Sequence, residues 1–429
     1  MPMKILFHNA KILTMENENI IDGDLLVIDT RIAYIGQDAS IYGPFDRIIE
    51  CDKNLLMPGF KNAHAHSAMV FLRGKAEGVT LQKWLFDIVF PREANLKEDD
   101  VYYLNKVAYL EYIANGITAC YEHYFYPLSS ARAAHEFGFR TLLLATYDKE
   151  KYPVSTLIEQ YREFNNKKDD LVTYSIGFHA EYTSNEEMIK ETKKVLDVLK
   201  APFFTHVSET TKEVQECYER HGVSPVQYLA DNGLFDYGGG GYHCIHFDDN
   251  DIAIFKKYHL NIVSCPGSNL KLASGIAPLR RYLDEGINVA LGTDGPASNN
   301  SLNMFKEMYL AATLAKIKEN DASAISSFDI LKMATVNGAK AMNMLDADVL
   351  AVNKLADIIM IDLSLPNMFP KNNIINNLVY NGSKENVVLT MINGKILYEK
   401  GLYYLKESPK AIYDKANEVM ERLESDLVK

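Results

Sequence analysis

The chain has 429 residues, of which 47% are hydrophobic and 24% are charged, and this composition is that of an ordinary globular protein. Its 24 glycines and 14 prolines are too few for a collagen-like or low-complexity chain. With 57 acidic and 45 basic residues, the net charge is −12. This charge argues against a function in binding nucleic acids or anionic membranes, which require a basic surface.

Cysteine usage and the hydrophobic runs indicate the compartment. The five cysteines are scattered and include no C-x-x-C pair, so the sequence predicts neither a disulfide framework nor a thiolate zinc site. The amino-terminal segment MPMKILFHNAKILTM lacks the long apolar core of a signal peptide. No uninterrupted apolar run reaches the roughly 18 residues of a membrane span. We therefore expect a cytoplasmic protein.

The first 56 residues have the pattern of short β-strands separated by turns. Apolar runs at 24–29 and 31–37 are each too short for a helix, and the pair Asp22-Gly23 marks a turn before them. This segment therefore predicts a small antiparallel sheet.

From residue 57 onward, short apolar runs alternate with longer amphipathic stretches that have helical spacing. We predict eight strands, at 55–64, 117–124, 140–147, 171–179, 201–208, 241–247, 261–268 and 287–294. Eight such units predict an α/β fold with a TIM-like (β/α)₈ barrel. The alternative, a doubly wound open sheet, usually carries a glycine-rich phosphate turn after an early strand, and none is present. The glycine run Gly238–Gly241 precedes a strand and predicts a flexible loop.

After the barrel, the spacing at 327–344 predicts a pair of helices. The runs at 354–364, 376–382 and 385–401 again predict short strands, and Asn393-Gly394 predicts a hairpin turn. Because this composition resembles that of the first 56 residues, we expect both chain ends to join in one domain. The predicted organisation is a composite β-sandwich from 1–56 and 345–407, a catalytic barrel at 57–344 and a terminal helix at 408–429.

The histidines are concentrated at the predicted barrel strands. Of the eleven in the chain, these lie in or just beyond a strand: His64, His66, His123, His179, His206, His243 and His246. Active sites of such barrels lie at the carboxyl ends of the strands. The remaining histidines are expected to be surface or packing residues.

One histidine pair predicts a metal site. In a strand, residues two apart point to the same face, so His64 and His66 enter the barrel mouth together. His206 and Asp294 end other strands at the same rim. Three imidazoles and one carboxylate form a nitrogen and oxygen donor set for Zn²⁺, with Fe²⁺ and Mn²⁺ as alternatives.

Other polar residues at this rim have open roles. Glu209 follows His206 by three residues and is either a proton shuttle or an ordinary carboxylate in the first turn of a helix. One of His243 and His246 faces the site and the other packs, and spacing does not choose between them. His123 is expected in the core or behind the ligands.

Several segments together resemble a known family: MPGFKNAHAHSAMVFLRG, HVSET, HCIH, SNLKLASGIAPL and LGTDGPASNNSLN. They resemble the amidohydrolase superfamily, and within it the 5′-methylthioadenosine/S-adenosylhomocysteine deaminase and chlorohydrolase group. The resemblance implies that one divalent metal ion is held by His64, His66, His206 and Asp294. It also implies that Glu209 is the proton shuttle and that His243 polarises the attacking water. In the mechanism that we expect from these roles, Asp294 accepts the proton of that water.

The resemblance also implies substrate contacts. Trp84 in LQKWLF and Glu93 in FPREANL match positions that contact the nucleoside, Glu93 through ribose hydroxyls. His179 in GFHAEYT lies near a position where a histidine meets the base, but this segment is altered, and Glu181 is an alternative occupant. Ala145 stands roughly where the adenosine-type enzymes carry an arginine, which favours a smaller 5′-substituent or a different amino-heterocycle.

These features lead to a functional prediction. We expect a mononuclear, metal-dependent hydrolase that removes ammonia from an amino-purine nucleoside of the 5′-methylthioadenosine, S-adenosylhomocysteine, 5′-deoxyadenosine or adenosine type. The alternatives are a deaminase of guanine, cytosine or another amino-heterocycle, a chlorohydrolase, and a non-catalytic metal-binding scaffold. The expected partner is this small molecule, with no nucleic acid and no membrane, and the enzyme class suggests a homo-oligomer.

Overall fold

The computed structural model describes residues 2–75, 78, 83–167 and 171–427. Its strands are β1 Lys4–Leu13, β2 Ile20–Ile28, β3 Arg31–Gly36, β4 Arg47–Glu50, β5 Leu55–Pro58, β6 Phe60–Ala65, β7 Ile117–Glu122, β8 Arg140–Ala145, β9 Val172–Ala180, β10 Phe203–Val207, β11 Gly239–His243, β12 Asn261–Ser264, β13 Asn288–Leu291, β14 Ile358–Ile361, β15 Val387–Ile392, β16 Lys395–Glu399 and β17 Leu402–Tyr403.

The described α-helices lie between the barrel strands and in the carboxyl-terminal part of the chain. They span Phe90–Glu93, Glu98–Ala114, Pro127–Phe137, Val154–Asn165, Glu186–Leu199, Thr211–His221, Pro225–Asp231, Asp249–Lys257, Pro266–Lys271, Leu279–Asp284, Met304–Glu319, Ser327–Ala334, Val336–Ala341, Ile374–Tyr380 and Pro409–Leu427. A π-helical turn, Trp84–Val89, precedes the first of them. The predicted helix pair and the predicted terminal helix are both confirmed, except that residues 428 and 429 lie outside the described residues.

Strands β6 to β13 form the barrel in chain order. Each pairs in parallel with the next, and the first and last strands meet where the amide of Asp294 donates to the carbonyl of His64 at 3.0 Å. Side chains such as Tyr121, Phe204 and Tyr242 are buried inside and fill the interior. The predicted parallel barrel is confirmed, and the carboxyl ends of all eight strands lie at one rim.

The first predicted strand, 55–64, is wrong as a single element. Leu55–Pro58 pairs with β1 and β14 in the other sheet, and only Phe60–Ala65 belongs to the barrel. Pro58 has no N–H and so cannot donate to a neighbouring strand, and the chain changes sheet directly after it. This crossing joins the two sheets just before the residues of the barrel mouth.

The glycine run was expected to be a flexible loop, and this prediction is wrong. Gly239–His243 is strand β11, and it is buried. A Cβ atom on Gly239 would lie 1.9 Å from the carbonyl oxygen of Phe203, and one on Gly240 would lie 2.2 Å from that of Asn261. The glycines are therefore needed because β11 lies unusually close to both neighbouring strands.

Gly240→Ala is expected to lower the free energy of unfolding by about 1–3 kcal/mol, because the added methyl group overlaps the Asn261 carbonyl. Chemical denaturation measures this. Gly43→Ala is a matched control, since its added Cβ would approach no atom closer than 3.4 Å. Equal stability of the two variants would contradict the close-approach explanation.

Both chain ends build the second sheet. Its nine strands run in the order β17-β16-β15-β14-β5-β1-β2-β3, with β4 paired to β1. A separate core lies on it, with Phe7, Ile12, Leu56 and Met360 among its members. The prediction of a small β domain from both ends is confirmed, as is the hairpin at Asn393-Gly394 between β15 and β16. The exact domain bounds stay a prediction.

The predicted strand at 376–382 is wrong, because the structure has the helix Ile374–Tyr380 there. The side chain of Asn373 accepts a hydrogen bond from the amide of Asn376 at 2.9 Å and so caps this helix. Its buried residues Ile375, Leu378 and Val379 have the spacing of one helix face.

Candidate active site

The predicted site residues converge at the carboxyl ends of the barrel strands. His64 lies in β6, His206 in β10 and His243 at the end of β11, while Asp294 follows β13. All are buried. They lie at or beside the floor of a cavity of about 600 Å³, which His66, His206, Glu209, His243 and Asp294 help to line.

Three histidines and one aspartate form a compact donor cluster. His66 Nε2 lies 3.3 Å from His206 Nε2, and Asp294 Oδ1 lies 3.3 Å from His66 Nε2 and 3.5 Å from His64 Nε2. Neither ring nitrogen of the fully buried His64 has a hydrogen-bond partner among the described residues. Burial lowers the pKa of His64 to about 3, so the ring is neutral, which is the form that binds a metal ion. The cluster therefore fits one divalent cation.

Hydrogen bonds orient these donors from behind. His66 Nδ1 donates to the carbonyl oxygen of His123 at 2.5 Å, and His206 Nδ1 donates to that of His179 at 2.6 Å. Both bonds leave Nε2 free to bind a metal, an arrangement that fixes tautomer and ring orientation. The carbonyl of His123 thus orients a histidine of the donor cluster, and His123 also lines the cavity.

Asp294 is also held in place. Its Oδ2 atom accepts from Ser268 Oγ at 2.5 Å and from Ser298 Oγ at 2.8 Å. Its backbone has a φ of 59°, and that of His243 has a φ of 68°. Such left-handed conformations cost about 1–3 kcal/mol for residues with a side chain and concentrate at functional sites.

Glu209 and His243 lie together beside the cluster. His243 Nε2 is 3.9 Å from Glu209 Oε2, and its Nδ1 donates to Asn269 Oδ1 at 2.7 Å. Ser274 Oγ donates to Glu209 Oε1 at 3.1 Å. Burial raises the pKa of Glu209, which makes it easier for this carboxyl group to hold a proton that it can then donate.

The structure resolves the choice between the two histidines of HCIH. His243 lines the cavity, whereas His246 Nε2 donates to the carbonyl oxygen of Ser274 at 2.8 Å and is absent from the lining. His246 therefore packs behind the site.

The residues expected to contact substrate also line the cavity. Trp84, Glu93 and His179 all contribute to its wall. Tyr124 donates to Glu93 Oε1 at 2.6 Å, and burial raises the pKa of Glu93 to about 7. Burial lowers the pKa of His179 to about 4, so its ring is neutral and able both to donate and to accept hydrogen bonds.

Glu181 was the alternative occupant near His179, and this alternative is wrong. Its Oε2 accepts from Arg220 Nη2 at 2.5 Å, and its Oε1 accepts from His221 Nε2 at 2.9 Å. These bonds hold the carboxylate outside the cavity lining.

Sequence reasoning missed the aromatic outer wall. Ala145 lines the cavity, and so do Tyr126, Tyr147 and Tyr152, which no sequence motif singled out. Their position just after β7 and β8, at the functional rim, was the available signal. Lys151 is the one lysine or arginine in the described lining.

Comparison with known proteins places this geometry in a family. The model of the amidohydrolase family matches residues 55–397. The chain belongs to the amidohydrolase family. This confirms the resemblance noted above, and with it the prediction of a hydrolytic enzyme.

Individual relatives of this amidohydrolase cover nearly its whole length. A 5-methylthioadenosine/S-adenosylhomocysteine deaminase of Thermoanaerobacter pseudethanolicus is 39% identical over 96% of this chain and 97% of its own. A 5′-deoxyadenosine deaminase of Methanothermobacter thermautotrophicus is 37% identical over 88% of this chain and 90% of its own. The crystal structure of an adenosine deaminase from Xanthomonas campestris with bound zinc is 28% identical, covers 99% of both chains and superimposes with a TM-score of 0.91.

None of the helices in the described part of this amidohydrolase is long and apolar enough to cross a membrane.

Proposed function

We propose that this protein is a metal-dependent deaminase that hydrolyses the exocyclic C–N bond of an amino-purine nucleoside and releases ammonia. The candidate substrates are 5′-methylthioadenosine, S-adenosylhomocysteine, 5′-deoxyadenosine and adenosine, in agreement with the names of the relatives. The observation that carries the proposal is the pairing of Glu209 with His243 beside the donor cluster, on the floor of an aromatic cavity.

The metal would be held by His64, His66, His206 and Asp294. We propose Zn²⁺, because the donor set suits it and the Xanthomonas campestris structure contains it, with Fe²⁺ and Mn²⁺ as alternatives. When bound, the cation supplies Lewis acidity, which lowers the pKa of coordinated water from 15.7 to about 7.

The chain's own residues would move the protons. Asp294 accepts the proton that the attacking water loses, and His243 orients that water toward the ring carbon that bears the amine. Glu209 donates a proton to the adjacent ring nitrogen and takes up the proton of the new hydroxyl group as the carbonyl forms. This helps the amine to leave as ammonia, with the proton that Asp294 had accepted. The C–O bond forms and the C–N bond breaks with no change in oxidation state. A positioned acid/base group of this kind contributes about 10²- to 10⁴-fold in rate.

The cavity wall suggests how the nucleoside would be held. Glu93 would accept hydrogen bonds from the ribose hydroxyls, Trp84 would pack against the nucleoside and His179 would meet the base. The outer wall is largely aromatic, with Asp148 and Lys151 as its charged members, and Ala145 stands roughly where the adenosine-type enzymes carry an arginine. We therefore favour a small, apolar 5′-substituent over homocysteine, and we expect a cytoplasmic homo-oligomer that binds no nucleic acid.

Glu93→Gln is expected to raise KM for nucleosides about 10- to 100-fold with little change in kcat, because the amide has only one acceptor oxygen for two hydroxyls. Because burial raises the pKa of Glu93 to about 7, the wild-type KM should fall as the pH rises through that value. Steady-state kinetics between pH 6 and 8 measure both effects. Glu98→Gln, at an exposed position, is the control. An unchanged KM would contradict the ribose contact.

An ammonia-release screen of the metal-loaded protein tests the proposal directly. The panel contains adenosine, 5′-deoxyadenosine, 5′-methylthioadenosine, S-adenosylhomocysteine, guanine and cytosine, and a chlorotriazine is assayed separately for chloride. Turnover of the adenine nucleosides alone is the expected result. Ammonia only from guanine or cytosine, or chloride from the triazine, would favour the alternatives, and failure on every compound would favour the scaffold.

A further inference from the structure

A buried carboxylate outside the cavity accepts hydrogen bonds from the backbone of the turn that carries Glu209. Glu213 lies in the helix Thr211–His221 and is 5% exposed. Its Oε1 atom accepts from the amide of Ser208 at 2.7 Å, and its Oε2 atom accepts from the amide of Glu209 at 2.8 Å. The two oxygens of one side chain thus bracket two consecutive peptide groups.

The bracketed turn has an unusual backbone. Ser208 has a φ of 52°, in the left-handed region that non-glycine residues rarely adopt. Its carbonyl oxygen accepts from the amides of Ile245 and His246, both at 3.0 Å. The peptide of Ser208 is therefore held on one side by Glu213 and on the other by the loop that directly follows His243.

The sequence pattern alone predicts a different role for Glu213. Thr210 and Glu213 have the spacing of a capping box, in which the glutamate accepts from the amide of the capping residue. Thr210 Oγ1 does accept from the amide of Glu213 at 3.1 Å. The carboxylate, however, reaches one and two residues further back, to Glu209 and Ser208. It therefore also stabilises the strand-to-helix turn that precedes the cap.

We propose that Glu213 is a positioning residue that holds the carboxylate of Glu209 in its productive orientation. Fixing both amides leaves the Glu209 side chain directed at Ser274 and His243. Glu213 itself is absent from the cavity lining and so acts through Glu209. The inference rests on the proposed function, in which Glu209 moves the proton.

A related arrangement, in which a buried carboxylate accepts from one backbone amide in place of two, occurs at two other places around the rim. Glu122 Oε1 accepts from the amide of Ser67 at 2.9 Å, directly after the proposed ligand His66. Glu307 Oε2 accepts from the amide of Gly267 at 2.8 Å, directly before the serine that binds Asp294. Both carboxylates are buried. The barrel rim thus repeatedly uses a buried carboxylate to fix the backbone beside a site residue.

Glu213→Gln tests the proposal with little change in shape. The side chain of the new glutamine keeps one acceptor oxygen, but its NH2 group faces a backbone N–H, so one of the two hydrogen bonds is lost. We expect kcat to fall about 10- to 100-fold, as a misplaced catalytic group does, while KM and metal content stay unchanged. Glu219→Gln is the matched control, because it removes the same charge from an exposed position on the same helix. Glu213→Asp, one methylene shorter, carries the test if the glutamine variant does not fold.

A double-mutant cycle separates positioning from a general structural role. In the Glu209→Gln background, Glu213→Gln should cause almost no further loss of kcat, because the group that it positions is already inactive. Equal fold-losses in the two backgrounds would overturn the proposal, as would a loss of bound metal.

Amide hydrogen exchange gives a readout that needs no turnover. Exchange in segment 207–212 should become faster in Glu213→Gln and stay unchanged in Glu219→Gln. Unchanged exchange in Glu213→Gln would contradict the proposal that Glu213 holds the amides of Ser208 and Glu209 in place. If the wild-type protein deaminates nothing while this exchange result holds, the proposed function fails and the structural part of the inference stands.

Discussion

Replacing Glu209 by glutamine is expected to lower kcat for the deamination about 10²- to 10⁴-fold while leaving the metal content unchanged. The reason is specific to its place in the site. Its carboxylate accepts from Ser274 Oγ and lies 3.9 Å from His243 Nε2, but it contributes no atom to the donor cluster of His64, His66 and His206. Glutamine retains the shape and the hydrogen bond from Ser274 but has no proton to exchange.

The measurement combines steady-state ammonia release with elemental analysis of the purified variant. Thermal unfolding should be nearly unchanged, because the substitution preserves volume. Glu219→Gln again serves as the control for removal of one charge. A fully active Glu209→Gln enzyme would show that another group carries the proton, and an inactive variant without metal would show that Glu209 supports the cation site.

Replacing His206 by alanine is expected to remove the metal and reduce activity to the background rate. The substitution deletes the Nε2 donor that lies 3.3 Å from His66 Nε2. It also breaks the bond from His206 Nδ1 to the carbonyl of His179, which orients the ring. Metal content by elemental analysis should fall from about one ion per chain to near zero.

Stability offers an independent readout of the same substitution. A bound ion stabilises the folded state, by about 4 kcal/mol when its free concentration is a thousand times the dissociation constant. A chelator should therefore lower the Tm of the wild-type protein and leave that of His206→Ala unchanged. His135→Ala, at an exposed helix position, is the control and should keep the metal. Full metal content in His206→Ala would contradict the assigned ligand set.

The sequence by itself determined the features that depend on the spacing of nearby residues, namely the barrel and the clustering of its histidines. Alternation of apolar runs with helical stretches predicted the barrel, because strands and helices have different hydrophobic periods. The two-residue spacing of His64 and His66 placed both on one strand face, and parallel strands bring their carboxyl ends to one rim. The clustering of these donor side chains was therefore predictable before any contact was known.

The features that the tertiary structure decided depend on residues far apart in the chain. His246, and not His243, bonds to Ser274, 28 positions later, and Glu181 is drawn away from the site by Arg220, 39 positions later. The glycine run forms a strand because of where the carbonyls of Phe203 and Asn261 lie. Periodicity records which face of an element is apolar, but it does not record which distant polar group lies opposite. The choice among chemically similar residues is therefore made only when the chain folds.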